Sequence, residues 1–406
     1  MSKPLRIVVA PSGFKECLGA EEVAEAIAVG IRRACPDADI VELPLVDGGE
    51  GFTKTLARVT GGEVCELRVT GPVGEPVDSH FGWLGEADEP TAVLEMAAAA
   101  GLRLVPHDQR DPLLTTTRGV GELIRAALDG GASRILLGCG DSGTNDGGAG
   151  MAQALGVRLL DAAGREIGPG GAALLDLDRV DLSGRDPRLS NVRIDVACNV
   201  HNILCGPRGV ARVFGPQKGA SPETVARLEA GLERLAAVLE RDTGAIGLGG
   251  MPGGGASGGL GAGLHALLGA HLHPRYDIVM LYLDLEGQLH GADLAFTAEG
   301  GIDTQTPRGK IPAEVGHRAR AHGVPVIALA GTVGDGAQVV HEHGVDAFFS
   351  TVPRPETMEE AMWCAPTDLA QCAEQVMRTV LLSMRVQRDL GRAMRTDGAG
   401  AVAYGA

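Results

Sequence analysis

Short apolar runs that stop at glycine or proline, each followed by a helical pattern, predict an α/β protein. The expected form is a flavodoxin-like parallel-sheet domain with a second α/β domain inserted into it. Three observations carry this. Two strand-then-helix units open the chain and three more close it. Between them the pattern changes to alternating runs and glycine-rich loops. Five units make a five-stranded sheet. Residues 1–61 and 289–406 then form one discontinuous domain and 62–288 the inserted one, with the active site expected in the cleft between them. A length of 406 residues suits two domains.

Taken in order, Leu5–Ala10 is an apolar strand that stops at Pro11, and the loop after it carries Lys15. Val23, Ile27 and Ile31 recur on one face of a helix over Gly19–Ala34. Ile40–Val46 is the next strand, followed by Asp47-Gly-Gly-Glu50 and a helix over Phe52–Val59. Ligands of open α/β sheets bind beyond the carboxyl ends of strands, which is where Lys15 and Asp47 fall. Glu63–Thr70 and Val77–Leu84 alternate around a Gly/Pro-rich turn, as a hairpin does. Ala92–Ala100 reads as a strand running into a helix. Thr115–Thr117 precede a helix over Val120–Leu128, and hydroxyls there cap a helix or help to bind an anion.

The most informative stretch is Gly138-Cys-Gly-Asp-Ser-Gly-Thr-Asn-Asp-Gly-Gly-Ala-Gly150. It follows the apolar strand Arg134–Gly138 and leads into a helix near Met151. Glycine lets backbone N–H groups approach an oxyanion, and a helix start favours negative charge. A phosphate or carboxylate site is expected. Further on come a strand, Ile194–Cys198, the loop Phe214–Ala220 with Lys218, and a helix begun by Ser221-Pro222. A second glycine loop, 253–259, precedes a helix over Leu264–Leu268. Asp293–Ala298 is a strand with Glu299 and Asp303 in the loop beyond, and Lys310 stands near the next helix. Val324–Ala330 and Asp346–Ser350 complete the strands. Two terminal helices are expected, Met358–Ala361 and Leu369–Met394, before a glycine/alanine-rich mobile tail, 396–406.

A net charge of −16 and only 3% aromatic residues argue against nucleic acid or an anionic membrane as partner. Eight cysteines without a C-x-x-C pair read as reduced thiols of a cytoplasmic protein, and no apolar run is long enough to span a membrane. His271 and His273 form a candidate metal pair without a third ligand, and so read as surface histidines. Gly138/Gly140/Gly143 and Gly253/Gly255/Gly258 each match a dinucleotide fingerprint, with Asp161 near the ribose spacing, but neither lies on the first strand. Gly309-Lys310 is followed by Ile311, so no P-loop is present.

Six segments, in this order, resemble the glycerate kinase type 1 family over nearly the whole chain. They are Ala10–Lys15, Val46–Gly51, Gly140–Gly150, Phe214–Ala220, Gly258–Gly263 and Thr297–Thr306. The resemblance implies ATP- and Mg²⁺-dependent transfer of a phosphoryl group to a hydroxyl of D-glycerate, usually giving 2-phosphoglycerate. It marks this chain as a divergent branch. Asp141 and Gly143 interrupt a Gly-Gly-Ser-Ala-Thr-Asn-Asp pattern, Asn199 replaces a carboxylate, and Gly301 replaces an arginine. On this basis Asp146 is the expected base, with Asp47 and Lys15 beside it in the catalytic set. Ser142, Thr144, Asn145, Gly147, Asn199, Lys218, Ser257 and Lys310 are expected to bind substrate or phosphate, and Glu299 and Asp303 the metal. Asp146→Asn is expected to cut turnover with little loss of stability. Other readings are a kinase for another small hydroxy acid, a dinucleotide-dependent oxidoreductase, and a non-catalytic metabolite sensor. Monomer and homodimer both stay open.

Overall fold

The computed structural model describes residues 3–14, 17–85, 87–307 and 309–399, with side chains as far as 387. The chain divides into two compact units, Met1–Leu45 with Asp284–Ala406, and Val46–Leu283.

In chain order the elements begin with β1 (Arg6–Val9), α1 (Ala20–Ala34), β2 (Asp39–Glu42) and α2 (Phe52–Val59). Next come β3 (Glu63–Thr70), β4 (Pro76–Trp83), β5 (Thr91–Glu95), α3 (Ala97–Ala100), α4 (Arg118–Asp129), β6 (Arg134–Gly138) and α5 (Ala149–Ala154). After them are β7 (Arg158–Leu160), β8 (Arg179–Asp181), β9 (Arg193–Cys198), α6 (Val210–Phe214), α7 (Pro222–Thr243), α8 (Ala256–Leu268), β10 (His271–Pro274) and α9 (Arg275–Tyr282). The chain closes with α10 (Leu285–Leu289), β11 (Leu294–Ile302), α11 (Ile311–Ala321), β12 (Val326–Val333), β13 (Ala347–Ser350) and α12 (Met358–Ala399).

The first unit holds a five-stranded sheet in the order β2-β1-β11-β12-β13, parallel throughout. This is the flavodoxin-like order expected from the alternation of strands and helices. Its inner strands β1, β11 and β12 are mostly buried apolar runs, as strands covered on both faces require, while the edge strands β2 and β13 are partly exposed. Val23, Ile27 and Ile31 of α1 join Leu369, Ala373 and Met377 of α12 in one core. A single terminal helix replaces the two expected, running through Pro366. Proline removes the bond to the carbonyl four residues earlier. That carbonyl, on Met362, instead accepts the Cys17 thiol at 3.3 Å. The expected tail lies outside the described residues from 400 onward.

The second unit is built on a six-stranded sheet, β10-β9-β6-β5-β4-β3. Strands β5, β6, β9 and β10 are parallel, and the β3–β4 hairpin adds antiparallel at the edge. The boundary falls earlier than residue 61. Phe52 and Leu56 of α2 are fully buried, and α2 packs on β3, β4 and β5. At the other end, α10 belongs with the first unit, where it packs on α11. The small pair β7–β8 and the helix α9 were not legible in the sequence. His273 is not the plain surface histidine expected: it is partly buried, its Nε2 lies 2.7 Å from Asp195 Oδ1, and Asp195 also binds Arg134 and Arg193.

Candidate active site

The glycine-rich stretch after β6 is stapled to its surroundings by Asp146. This carboxylate is fully buried. It accepts the backbone N–H and hydroxyl of Thr117, at 2.8 and 2.9 Å, and the N–H groups of Gly148 and Gly150, at 3.1 and 3.2 Å. Thr117 is the N-cap of α4, so one carboxylate serves the starts of both α4 and α5. Burial pushes the Asp146 carboxyl up, and the four donors pull it back. With no exposed surface, Asp146 acts here as a brace for the loop.

The loop amides are less available to an anion than the sequence implies. Gly143 N–H donates to Ala100, Gly147 N–H to the Gly258 carbonyl at 3.1 Å, and Ala149 N–H to the Asp146 carbonyl. Gly147 thus clamps the two glycine loops together. The kink at 257–259 makes this contact close: Ser257, Gly258 and Gly259 all have positive φ, at 51, 71 and 91°. A side chain on Gly258 would run into the Thr144 carbonyl oxygen and come within 2.8 Å of the Asn145 Cα, so only glycine fits.

Lys218, on the short turn before α7, is 2% exposed and donates to Ser142 Oγ at 2.8 Å and the Thr144 carbonyl at 2.6 Å. Burial lowers its ammonium to about 7, against the opposing pull of Asp146. On the stretch it holds, Thr144 Oγ1 and both polar atoms of the Asn145 amide are buried with no hydrogen-bond partner among the described residues, while the buried Ser257 hydroxyl faces the Cys139 thiol. Groups of this kind are costly unless a ligand or ordered water meets them.

The turn after β2 leads onto the same strand ends. A side chain on Gly48, at φ 86°, would lie 3.0 Å from the Ala197 carbonyl of β9 and 3.3 Å from Cys139 N. Asp47 accepts Arg275 Nη1 at 3.0 Å and Gly49 N–H at 3.3 Å, and its side chain is 42% exposed. Asp141 now has a role. In the left-handed conformation, φ 49°, it accepts Glu50 N–H at 3.0 Å and ties the glycine stretch to the Asp47 turn. Asn199 Oδ1 accepts His201 N–H at 3.0 Å, a turn contact that an aspartate makes equally well. The sequence does not mark Arg275 or Glu95 as a residue of the site. Glu95 had a signal, as the one charged residue in the run Ala92–Ala100.

In the first unit Lys310 Nζ donates to the Gly301 carbonyl at 3.0 Å and lies 3.5 Å from Asp303 Oδ1, which also accepts Gln305 N–H at 2.7 Å. Glu299 lies within β11, opposite Ala330, and not in a loop. Lys15 lies outside the described residues. Among the described residues no three His, Cys, Asp or Glu side chains converge as a metal site.

The sequence profile of the glycerate kinase family matches residues 7–381. The chain belongs to the glycerate kinase family. It is 48% identical over 379 residues to a glycerate kinase of Bacillus subtilis (strain 168), covering 93% of this chain and 98% of that protein. It is 46% identical over 381 residues to a glycerate 2-kinase of Escherichia coli (strain K12), with 94% and 99% covered. The fold matches the crystal structure of a protein assigned as glycerate kinase 2 in Salmonella typhimurium LT2. That match has a TM-score of 0.81, 46% identity, and covers 94% of this chain and 99% of that one. The protein is therefore a phosphotransferase. No helix among the described residues is long and apolar enough to cross a membrane.

Proposed function

We propose that this family member transfers the terminal phosphoryl group of ATP to a hydroxyl of D-glycerate, giving 2-phosphoglycerate. The observation that supports this most is the 46% identity to a glycerate 2-kinase over nearly both full lengths. The site geometry is consistent with it. Phosphoryl transfer needs positioning and charge neutralisation more than covalent chemistry. The unpaired hydroxyl of Thr144 and amide of Asn145 suit a ligand rich in oxygen donors and acceptors.

Asp47 is the proposed base. It is the accessible carboxylate of the pair expected in catalysis, whereas Asp146 is enclosed by four donors. Lys15 and Lys310 are proposed to neutralise phosphoryl oxygens. Lys218 and Ser142 hold the shape of the glycine-rich stretch after β6, and Asn199 is proposed to bind substrate. Glu299 and Asp303 are hard oxygen donors. Asp303 Oδ2 carries no hydrogen bond from the described residues. One or two carboxylates together with substrate phosphates are the usual magnesium arrangement. Bound there, Mg²⁺ would offset charge on the transferring phosphoryl group.

Asp47→Asn is expected to lower kcat by about 10²-fold or more. An ADP-release assay checks this, and a folded variant with near-normal turnover removes Asp47 from the mechanism.

A further inference from the structure

One buried carboxylate stands apart from the reacting groups. Glu95 is the last residue of β5, in register with Gly138 of β6, and is 3% exposed. A carboxylate buried at the end of an inner strand is unfavourable unless its oxygens are met. Both are met from one place. Oε1 accepts Gly51 N–H at 3.2 Å and Oε2 accepts Thr53 N–H at 2.8 Å. These are the leading amides of α2. That helix has glycine at its N-cap and no acidic residue in its first turn, so it cannot cap itself. Glu95 supplies the cap from a neighbouring strand.

The turn so anchored is the one that carries Asp47. Asp47 stands four residues ahead of Gly51. Asp141 holds the middle of the turn through Glu50 N–H, and Arg275 holds the Asp47 carboxylate itself. Without the contacts to Glu95, the helix end of this turn keeps, among the described residues, only the contacts of Glu50, whose N–H meets Asp141 and whose exposed side chain pairs with Arg103. We infer that Glu95 is a positioning residue for Asp47: by capping α2 it fixes the Asp47–Gly51 turn in its reactive place. This rests on the reading of Asp47 as base.

The charged groups facing Glu95 make the device sensitive to pH. Glu50 and Lys54 face it from the turn and α2, and His80 Nε2 of β4 lies 3.7 Å from Oε1. Arg103 pairs with Glu50 at 3.0 Å and, with Glu66 of β3, acts on His80. Burial raises Glu95 to about 7 against the two N–H bonds, and burial lowers His80 to about 4, leaving it neutral at pH 7. Each Glu95 oxygen accepts one N–H, so adding a proton removes an acceptor from the cap.

The test compares the full-length protein, Glu95→Gln, Asp47→Asn and the double variant, assayed for ADP release with D-glycerate. Glu95→Gln keeps the shape but loses one acceptor. It should lower kcat about tenfold or more with KM for glycerate little changed, since small misplacements of a reacting group are expensive. The wild-type rise of kcat through about pH 7 should be absent in Glu95→Gln. In the Asp47→Asn background the Glu95 substitution should change kcat by less than twofold. Hydrogen exchange of the peptide over 47–54 should quicken in Glu95→Gln while peptides of β9 and β10 keep their wild-type rates. An unchanged kcat and pH profile in Glu95→Gln, or equal Glu95 effects with and without Asp47, overturns the inference. If wild type fails to phosphorylate D-glycerate, the functional reading falls. Hydrogen exchange then still judges the anchor, and an unaltered 47–54 peptide overturns it.

Discussion

Lys218 illustrates what a residue type can and cannot say. The loop Phe214–Ala220 marks it as a functional lysine. Only the structure shows an ammonium that is 2% exposed and bonded to Ser142 and Thr144. Its pKa near 7 lies below the ordinary lysine value. The folded protein therefore releases this proton before the unfolded chain does, and stability should rise with pH from about 7 toward 10.5. In Lys218→Met that rise should be lost. Urea midpoints at pH 7 and pH 9 check this, and parallel shifts in both proteins would count against it. Asp146 carries a second prediction. The sequence suggests that Asp146→Asn is mild for stability, but an amide cannot accept four donors. A loss of about 1–3 kcal/mol is expected by urea unfolding. Glu95 has the opposite window to Lys218. Its folded pKa lies above the ordinary glutamate value, so its contribution is present at low pH and lost as pH rises from about 4.5 through 7. The stability difference between wild type and Glu95→Gln should move in that direction between pH 5 and pH 8.

At the scale of elements, repeating apolar patterns were readable and contacts between loops were not. The β3–β4 hairpin and the Ser221 cap of α7 are where period and capping chemistry put them. Helix α9 is not legible in the sequence because its turns carry no clear apolar face. The sequence reads Glu299 as a loop residue because Gly300 and Gly301 follow it, yet pairing with β12 carries the strand on to Ile302. The contact between the glycine loops gives a sharp element-scale prediction. Gly258→Ala combines positive φ with a clash on the Thr144 backbone. It should lower stability by about 2–4 kcal/mol. Gly164 has a similar φ, 77°, with nothing within 4 Å of an added Cβ, so Gly164→Ala should cost only about 1–2 kcal/mol. Thermal melts of the two variants separate backbone strain from collision. Equal losses would mean that the loop contact contributes nothing.

For the whole molecule, the fold class was legible because strands and helices alternate at both ends of the chain. The parallel order β2-β1-β11-β12-β13 follows from that alternation and the handedness of its crossovers. The unit boundary was not legible. The sequence of α2 says that it is a helix, but not that Phe52 is buried in the second unit or that Glu95 caps it. The family was readable from six short segments and is shown by identity across more than nine-tenths of the chain. The most direct test of the account is ADP release by purified protein with ATP and a panel of small hydroxy acids, with and without Mg²⁺, the product located by phosphorus NMR. The account predicts release that needs both D-glycerate and Mg²⁺, with phosphate on the 2-hydroxyl. Turnover with another hydroxy acid and none with D-glycerate would contradict it.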